Sequence, residues 1–248
     1  MHFPLLEPSS EPLQVQRNHE ASHKVVDAVG RREYEFPLSA PILFNILKGM
    51  FFSRKAECFA FYVDPDKVKK AKAEVTSNST KDIDYVSTND ILTSSFAKTI
   101  RARLCMMAIN FRNRIKGLVD TDAGNYEGFL LYDEETYGRP GSIRKTLKTG
   151  APFRTTVKPL PGFWESFSCR LGQITNWSTF WDELVIEGCE QQLNLPIYDT
   201  GMMPFDAAIV FRPMPGKLAV MYFAKTVGRE GLLSGCELGE AVSTKISQ

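Results

Sequence analysis

The stretch from Val86 to Gly128 constrains this chain most, because it carries three distinct elements in close succession. It runs V-S-T-N-D-I-L-T-S-S-F-A-K, then C-M-M-A-I-N-F-R-N-R-I-K-G-L, then D-A-G-N-Y-E-G. Ser87 is a good N-cap, since its hydroxyl can accept from a free amide of the first helical turn. Asp90, three residues on, completes a capping box and suits the positive helix end. Ile91, Leu92, Ser95, Phe96, Thr99 and Ile100 then recur at helical spacing and predict one buried face. Lys98, Arg101 and Arg103 place cations at the negative end. Cys105 to Phe111 is nearly all apolar, as expected of a strand covered on both faces. Gly124 and Asn125 tolerate positive φ and predict a turn.

The flanking sequence extends this α/β unit in both directions. Residues Met1 to Phe36 read as an extended arm or linker, rich in proline at its start, with a short polar helix over Gln14 to Val29. The main domain is expected over residues 37–248. A helix is predicted from near Ser39, with Pro41 in its first turn, Gly49 near its end, and Ile42, Leu43, Ile46 and Leu47 buried. Glu57 to Val63 has strand composition. A lysine-rich helix follows from Asp64-Pro65 to about Glu74, either a solvated face or a phosphate-binding surface. Phe129 to Tyr132 completes a strand, and Pro140 starts a basic helix ending by Gly150. Phe167 to Thr175 reads as a strand ending in T-N-W. Phe205 to Phe211 and Leu218 to Phe223 flank Pro213-Met214-Pro215-Gly216, a hairpin signal. A helix is predicted from about Cys236. Strands alternating with helices and closed by a hairpin predict an α/β fold with a mixed sheet and flanking helices.

Composition excludes several functions. The formal net charge of the 248 residues is +1, so no global field draws the chain to nucleic acid or an anionic membrane. No apolar run approaches the roughly 18–20 residues of a membrane span. The five cysteines have no C-x-x-C spacing, which fits free thiols in a reducing compartment and a cytoplasmic location. G-x-G-x-x-G and G-K-[ST] loops are missing. Three histidines near one terminus, without cysteine or carboxylate partners at ligand spacing, predict no metal site and no bound cofactor.

S-T-N-D-I-L-T at Ser87 to Thr93, I-N-F-R-N-R at Ile109 to Arg114 and A-G-N-Y at Ala123 to Tyr126 stand in a definite order, and I-T-N-W-S-T-F follows at Ile174 to Phe180. Together they resemble the second half of the coenzyme A-dependent acyltransferase superfamily, which includes the BAHD enzymes, trichothecene acetyltransferases and chloramphenicol-acetyltransferase-like folds. The resemblance runs from about Phe59 to Phe223. It implies a chloramphenicol-acetyltransferase-like half and acyl transfer from acyl-coenzyme A, as co-substrate, to a small-molecule hydroxyl or amine acceptor. The D-F-G-W-G segment of the plant-type members is missing.

The resemblance also implies site residues. Thr175 and Trp177 would line the tunnel, with Thr175 donating to the oxyanion and Asn176 standing where serine is commoner. Arg112 and Arg114, alternating with Asn110 in an extended segment, would reach the phosphates of coenzyme A, or else form internal salt bridges with Asp90 or Asp120. The family's H-x-x-x-D-G motif supplies a general base. Here His23-Lys24-Val25-Val26-Asp27 fits formally, with Ala28 in place of glycine. Two readings stay open. Either His23 is the base and Asp27 its orienter, or His23 is a surface histidine and the chain is a domain completed by an N-terminal half or by self-association. The rival class is a non-catalytic binding domain derived from the same fold.

Overall fold

The computed structural model describes residues 20, 23–77, 85–119, 127–147, 156–179, 186–189, 191, 193–196 and 203–242. The turn expected at Gly124-Asn125, the A-G-N-Y segment and most of the arm lie outside these residues. Among the described residues, seven strands form one mixed sheet in the order β3-β2-β4-β5-β6-β1-β7. They are β1 (Glu57–Val63), β2 (Leu104–Asn110), β3 (Glu127–Tyr132), β4 (Leu171–Asn176), β5 (Asp206–Phe211), β6 (Ala219–Ala224) and β7 (Leu238–Ala241). β2, β4 and β5 run parallel to one another. The remaining pairs are antiparallel.

The helical elements are α1 (residues 23–29), α2 (Arg31–Glu35), α3 (Ala40–Phe52), α4 (Pro65–Ser77), α5 (Thr88–Thr99), α6 (Glu134–Tyr137), α7 (Pro140–Thr146), α8 (Phe163–Ser166) and α9 (Arg229–Gly235). α5 forms where its local signals place it. Ser87 accepts from the Asp90 amide at 3.2 Å, and the Asp90 carboxylate accepts from the Ser87 amide at 2.7 Å, so the capping box is closed at both ends. Every residue from Asp90 to Ala97 is buried, so α5 is central rather than one-faced. Thr99, expected in the buried face, is only half-buried.

The sheet is covered on both sides. On one, Leu92, Phe96 and Ile100 of α5 pack with Phe61, Met107, Ile174, Val210 and Tyr222. Val25 and Val29 of α1 enter this same core. On the other, Ile209, Phe211, Met221 and Phe223 form a second cluster, while Ile42, Met106 and Leu171 form a third. β5 and β6 are therefore buried at every residue. Their connection is the expected hairpin. Lys217 donates to the Met214 carbonyl at 3.2 Å, and Gly216 takes φ 70, which the turn requires.

Two expectations are corrected. α3 buries Pro41, Ile42 and Gly49, while Leu43 and Leu47 are 42% and 52% exposed. This helix is apolar nearly all round, so periodicity gave no face to choose. Gly49 decides the orientation, since its backbone packs against the Pro204 carbonyl. The helix predicted from Cys236 is also absent: α9 ends there and β7 follows. Pairing with β1 takes those residues into the sheet, with Phe61 opposite Ala241 and Val63 opposite Leu238.

Candidate functional site

Parallel strands in an open sheet leave a crevice beyond their carboxyl ends, where ligands are commonly bound. β2, β4 and β5 end together, and the crevice there is a groove of about 710 Å³. The N-terminus of α5 forms one wall through Ser87, Thr88 and Asn89. Met107 to Asn110 of β2 and Thr175 to Trp177 of β4 form the floor and opposite wall. Thus S-T-N-D, I-N-F-R-N-R and I-T-N-W, far apart in the chain, meet at one place.

Direct bonds hold them. Asn176 Nδ2 donates to Asn89 Oδ1 at 3.1 Å, which ties the end of β4 to the first turn of α5. Asn176 Oδ1 accepts from the Ser178 amide at 2.9 Å and hydroxyl at 2.6 Å, which turns the chain as it leaves the strand. The Trp177 amide donates to the Val210 carbonyl at 2.7 Å and fixes the indole-bearing residue beside β5. Trp177 is 37% exposed, leaving part of its ring open to the groove. The Thr175 hydroxyl has no hydrogen-bond partner among the described residues and is half-buried in the lining.

The lining is electropositive, with Lys72, Arg114, Arg144 and Arg212 set against Glu127. Arg144 donates from Nε to Asp90 Oδ2 at 2.7 Å, with its second nitrogen at 2.6 Å, and lies 4.8 Å over the Tyr85 ring. Asp90 thereby caps α5 and holds a groove cation at once. Its other oxygen, Oδ1, is buried without a hydrogen-bond partner. Lys72 donates to Thr88 Oγ1 at 3.0 Å, and Arg212 to the Ser178 carbonyl at 3.0 Å.

The residues singled out in the sequence divide cleanly. Thr175, Asn176, Trp177 and Arg114 all line the groove. His23 and Asp27 do not: they lie exposed on α1, whose Lys24 side chain approaches Gly117. Arg112 does not line it either. The extended alternation stops at Asn110, because Arg114 and Ile115 both donate to the Phe111 carbonyl and Asn113 turns left-handed at φ 58. Asn110 Oδ1 instead accepts from the Arg112 amide at 3.0 Å and guanidinium at 3.4 Å. The partner of Asp90 is Arg144 rather than Arg112 or Arg114. Arg144 and Arg212 had no sequence signal, because the packing of α7 beside α5 brings the first to the groove and the place of β5 in the sheet brings the second. Lys72 was visible only as one lysine of a basic helix. Among the described residues, no group of three or more His, Cys, Asp or Glu could hold a metal ion. Among them, no helix is long and apolar enough to cross a membrane.

No protein-family model and no curated protein sequence matches the chain. Among solved structures, it is similar to TRI101 of F. sporotrichioides complexed with coenzyme A and T-2, at 15% identity over 68% of this chain and 47% of that one, with a TM-score of 0.41. It is similar to vinorine synthase at 14% identity over 75% of this chain and 47% of that one, with a TM-score of 0.47. Polyketide synthase associated protein 5 from Mycobacterium tuberculosis matches at 13% identity over 73% and 52%, with a TM-score of 0.41. The chain spans about half the length of the solved structures it matches.

Proposed function

We propose that this chain carries the acyl-coenzyme A side of an acyltransferase that moves an acyl group to a hydroxyl or amine acceptor. The observation that carries this reading is the convergence of three acyltransferase-like segments on one cationic groove at the carboxyl ends of parallel strands. Arg114, with Arg144, Arg212 and Lys72, would hold the phosphates of coenzyme A. Trp177 and Asn176 would border the thioester. The acceptor oxygen or nitrogen attacks the thioester carbonyl and loses its proton to a base. The C–S bond then breaks, and the thiolate leaves with that proton. Both substrates are bound together and no acyl-enzyme forms. Thr175, whose hydroxyl is uncommitted among the described residues, would donate to the oxyanion as it develops.

The base should titrate near neutrality. No histidine lines the groove among the described residues. The base is therefore assigned outside this wall, and His23 with Asp27 is the chain's own candidate for it, a second half the other. The same observation favours one rival reading, a domain that binds a ligand in the groove without turning it over.

The test is release of free coenzyme A from acetyl-coenzyme A in the presence of mixed alcohols and amines, alongside calorimetric binding of coenzyme A. Acyl transfer predicts turnover, and T175V should lower kcat by roughly 10²–10³-fold with coenzyme A binding nearly unchanged. Activity that survives H23A excludes His23 as the base. Saturable binding without release selects the binding domain, and no binding at all rejects both readings.

A further inference from the structure

A second cavity, of about 730 Å³, lies at the opposite end of α5 from the groove. The helix has 12 residues, so the two sites stand roughly 18 Å apart along its axis. Lys98, Arg101, Arg103 and Lys158 line this cavity together with Glu134 and Tyr137. Two of the cations are already committed. Arg103 pairs with Glu165 at 2.6 Å and donates to the Pro159 carbonyl at 2.9 Å, and Lys158 lies 3.5 Å from Glu135. The other two are not: the side chains of Lys98 and Arg101 make no hydrogen bond or ion pair among the described residues, the Lys98 ammonium being drawn only at longer range to Glu237. Burial holds the Lys98 ammonium below its ordinary pKa, so a nearby anion would relieve a standing cost.

Arg101 stands at an unexpected place. α5 ends in a Schellman motif, with the Arg101 amide donating to the Lys98 carbonyl and the Ala102 amide to the Ala97 carbonyl, both at 3.0 Å. The residue after the C-cap Ile100 must then be left-handed, and that residue is Arg101, at φ 50. Glycine is the ordinary residue there, since a Cβ is disfavoured at positive φ. A strained position that keeps a long cation aimed into a cationic cavity asks for a reason beyond folding.

We propose that this cavity is a binding site for a diphosphate group, free or carried by a nucleoside, held between the ammonium of Lys98 and the guanidinium of Arg101. Arg103 and Lys158 stand at its border and add to the field. Tyr137 is a fixed wall, since its hydroxyl donates to the Ala102 carbonyl at 2.6 Å. Two uncommitted cations on separate backbone positions suit two linked phosphates better than one. The site is separate from the groove and does not depend on acyl transfer.

The probe is inorganic pyrophosphate, titrated calorimetrically into the full chain. R101G keeps the helix cap and relieves its strain, so its melting temperature should match or exceed that of the unchanged protein. Its affinity for pyrophosphate should fall by roughly tenfold or more, as should that of K98M. K70A, on the exposed face of α4 and lining neither cavity, should bind pyrophosphate within about twofold of the unchanged protein. Tighter binding of ADP than of pyrophosphate assigns the site to a nucleoside diphosphate, the reverse order to free diphosphate, and either supports it. The proposal is overturned if the unchanged protein does not bind saturably, if R101G and K98M bind as well as it does, or if K70A loses as much affinity as they do.

Discussion

Asp206 shows how much of this fold one carboxylate can hold. It begins β5, and its Oδ1 accepts from the amides of Lys225 and Thr226 at 2.7 and 3.0 Å, while Oδ2 accepts from the Thr226 hydroxyl at 2.6 Å. Lys225 then reaches α3 and the chain before β5, donating to the Gly49 and Met203 carbonyls at 2.6 and 2.8 Å. D206A strands buried donors, so it should cost about 3 kcal/mol of stability, read from equilibrium urea unfolding. The buried thiols give a pH signature. Burial pushes Cys105 up to about 12, and Cys236 up to about 11 against the opposing hydrogen bonds with Thr99 and Tyr222. The folded state holds these protons more tightly than the unfolded chain, whose thiols titrate near 9.0. Stability should be full below about pH 9 and fall as pH rises through about 11–12, with a shallower fall in C105A. These residues look ordinary in sequence. Burial and partners are set by distant elements, so neither Asp206 nor Cys105 announces its role.

At the scale of elements, legibility follows how local the cause is. The cap, span and cationic end of α5 depend on neighbours three or four residues away, and all were readable. So were β1, matched at both ends, and the proline-glycine hairpin between β5 and β6. β7 was not, because its strand state comes from pairing with β1 and competes with a plausible helix. The groove was half-readable for the same reason. Thr175, Trp177 and Arg114 belong to recognisable segments, whereas Arg144 arrives only because α7 packs beside α5. That packing has a consequence at Asp90. D90A removes both the capping box and the partner of Arg144, leaving a mostly buried guanidinium unpaired. It should destabilise by about 3–5 kcal/mol, measured by thermal and urea unfolding. D90N retains one oxygen for the cap and should lose less. In both, coenzyme A affinity should fall more than in a surface control if the groove holds phosphates.

At the scale of the molecule, many of the exposed apolar residues gather on α3 and α8. Phe44 and Leu47 of α3 are 54% and 52% exposed, and Phe163 and Trp164 of α8 are 60% and 81% exposed. Phe167 joins them, with its ring 5.3 Å from Phe44 and 5.2 Å from Phe163. A contiguous face of this kind is unusual on a monomer. We expect the chain to self-associate at micromolar concentration in sedimentation velocity, and F44S/W164S to shift it towards monomer. A clean monomer of the unchanged protein would count against this.

The strand order also bears on how the chain is made. Of the described strands β1 comes first along the sequence, yet it sits between β6 and β7, the last two of them. A ribosome would deliver it long before either neighbour exists, with two open edges and an aromatic-rich sequence. The β2–β3 pair can form while synthesis continues, but β1 must be kept from other partners until β6 and β7 have been made. A message cut short anywhere before β6 would therefore yield an adhesive fragment rather than a smaller folded protein.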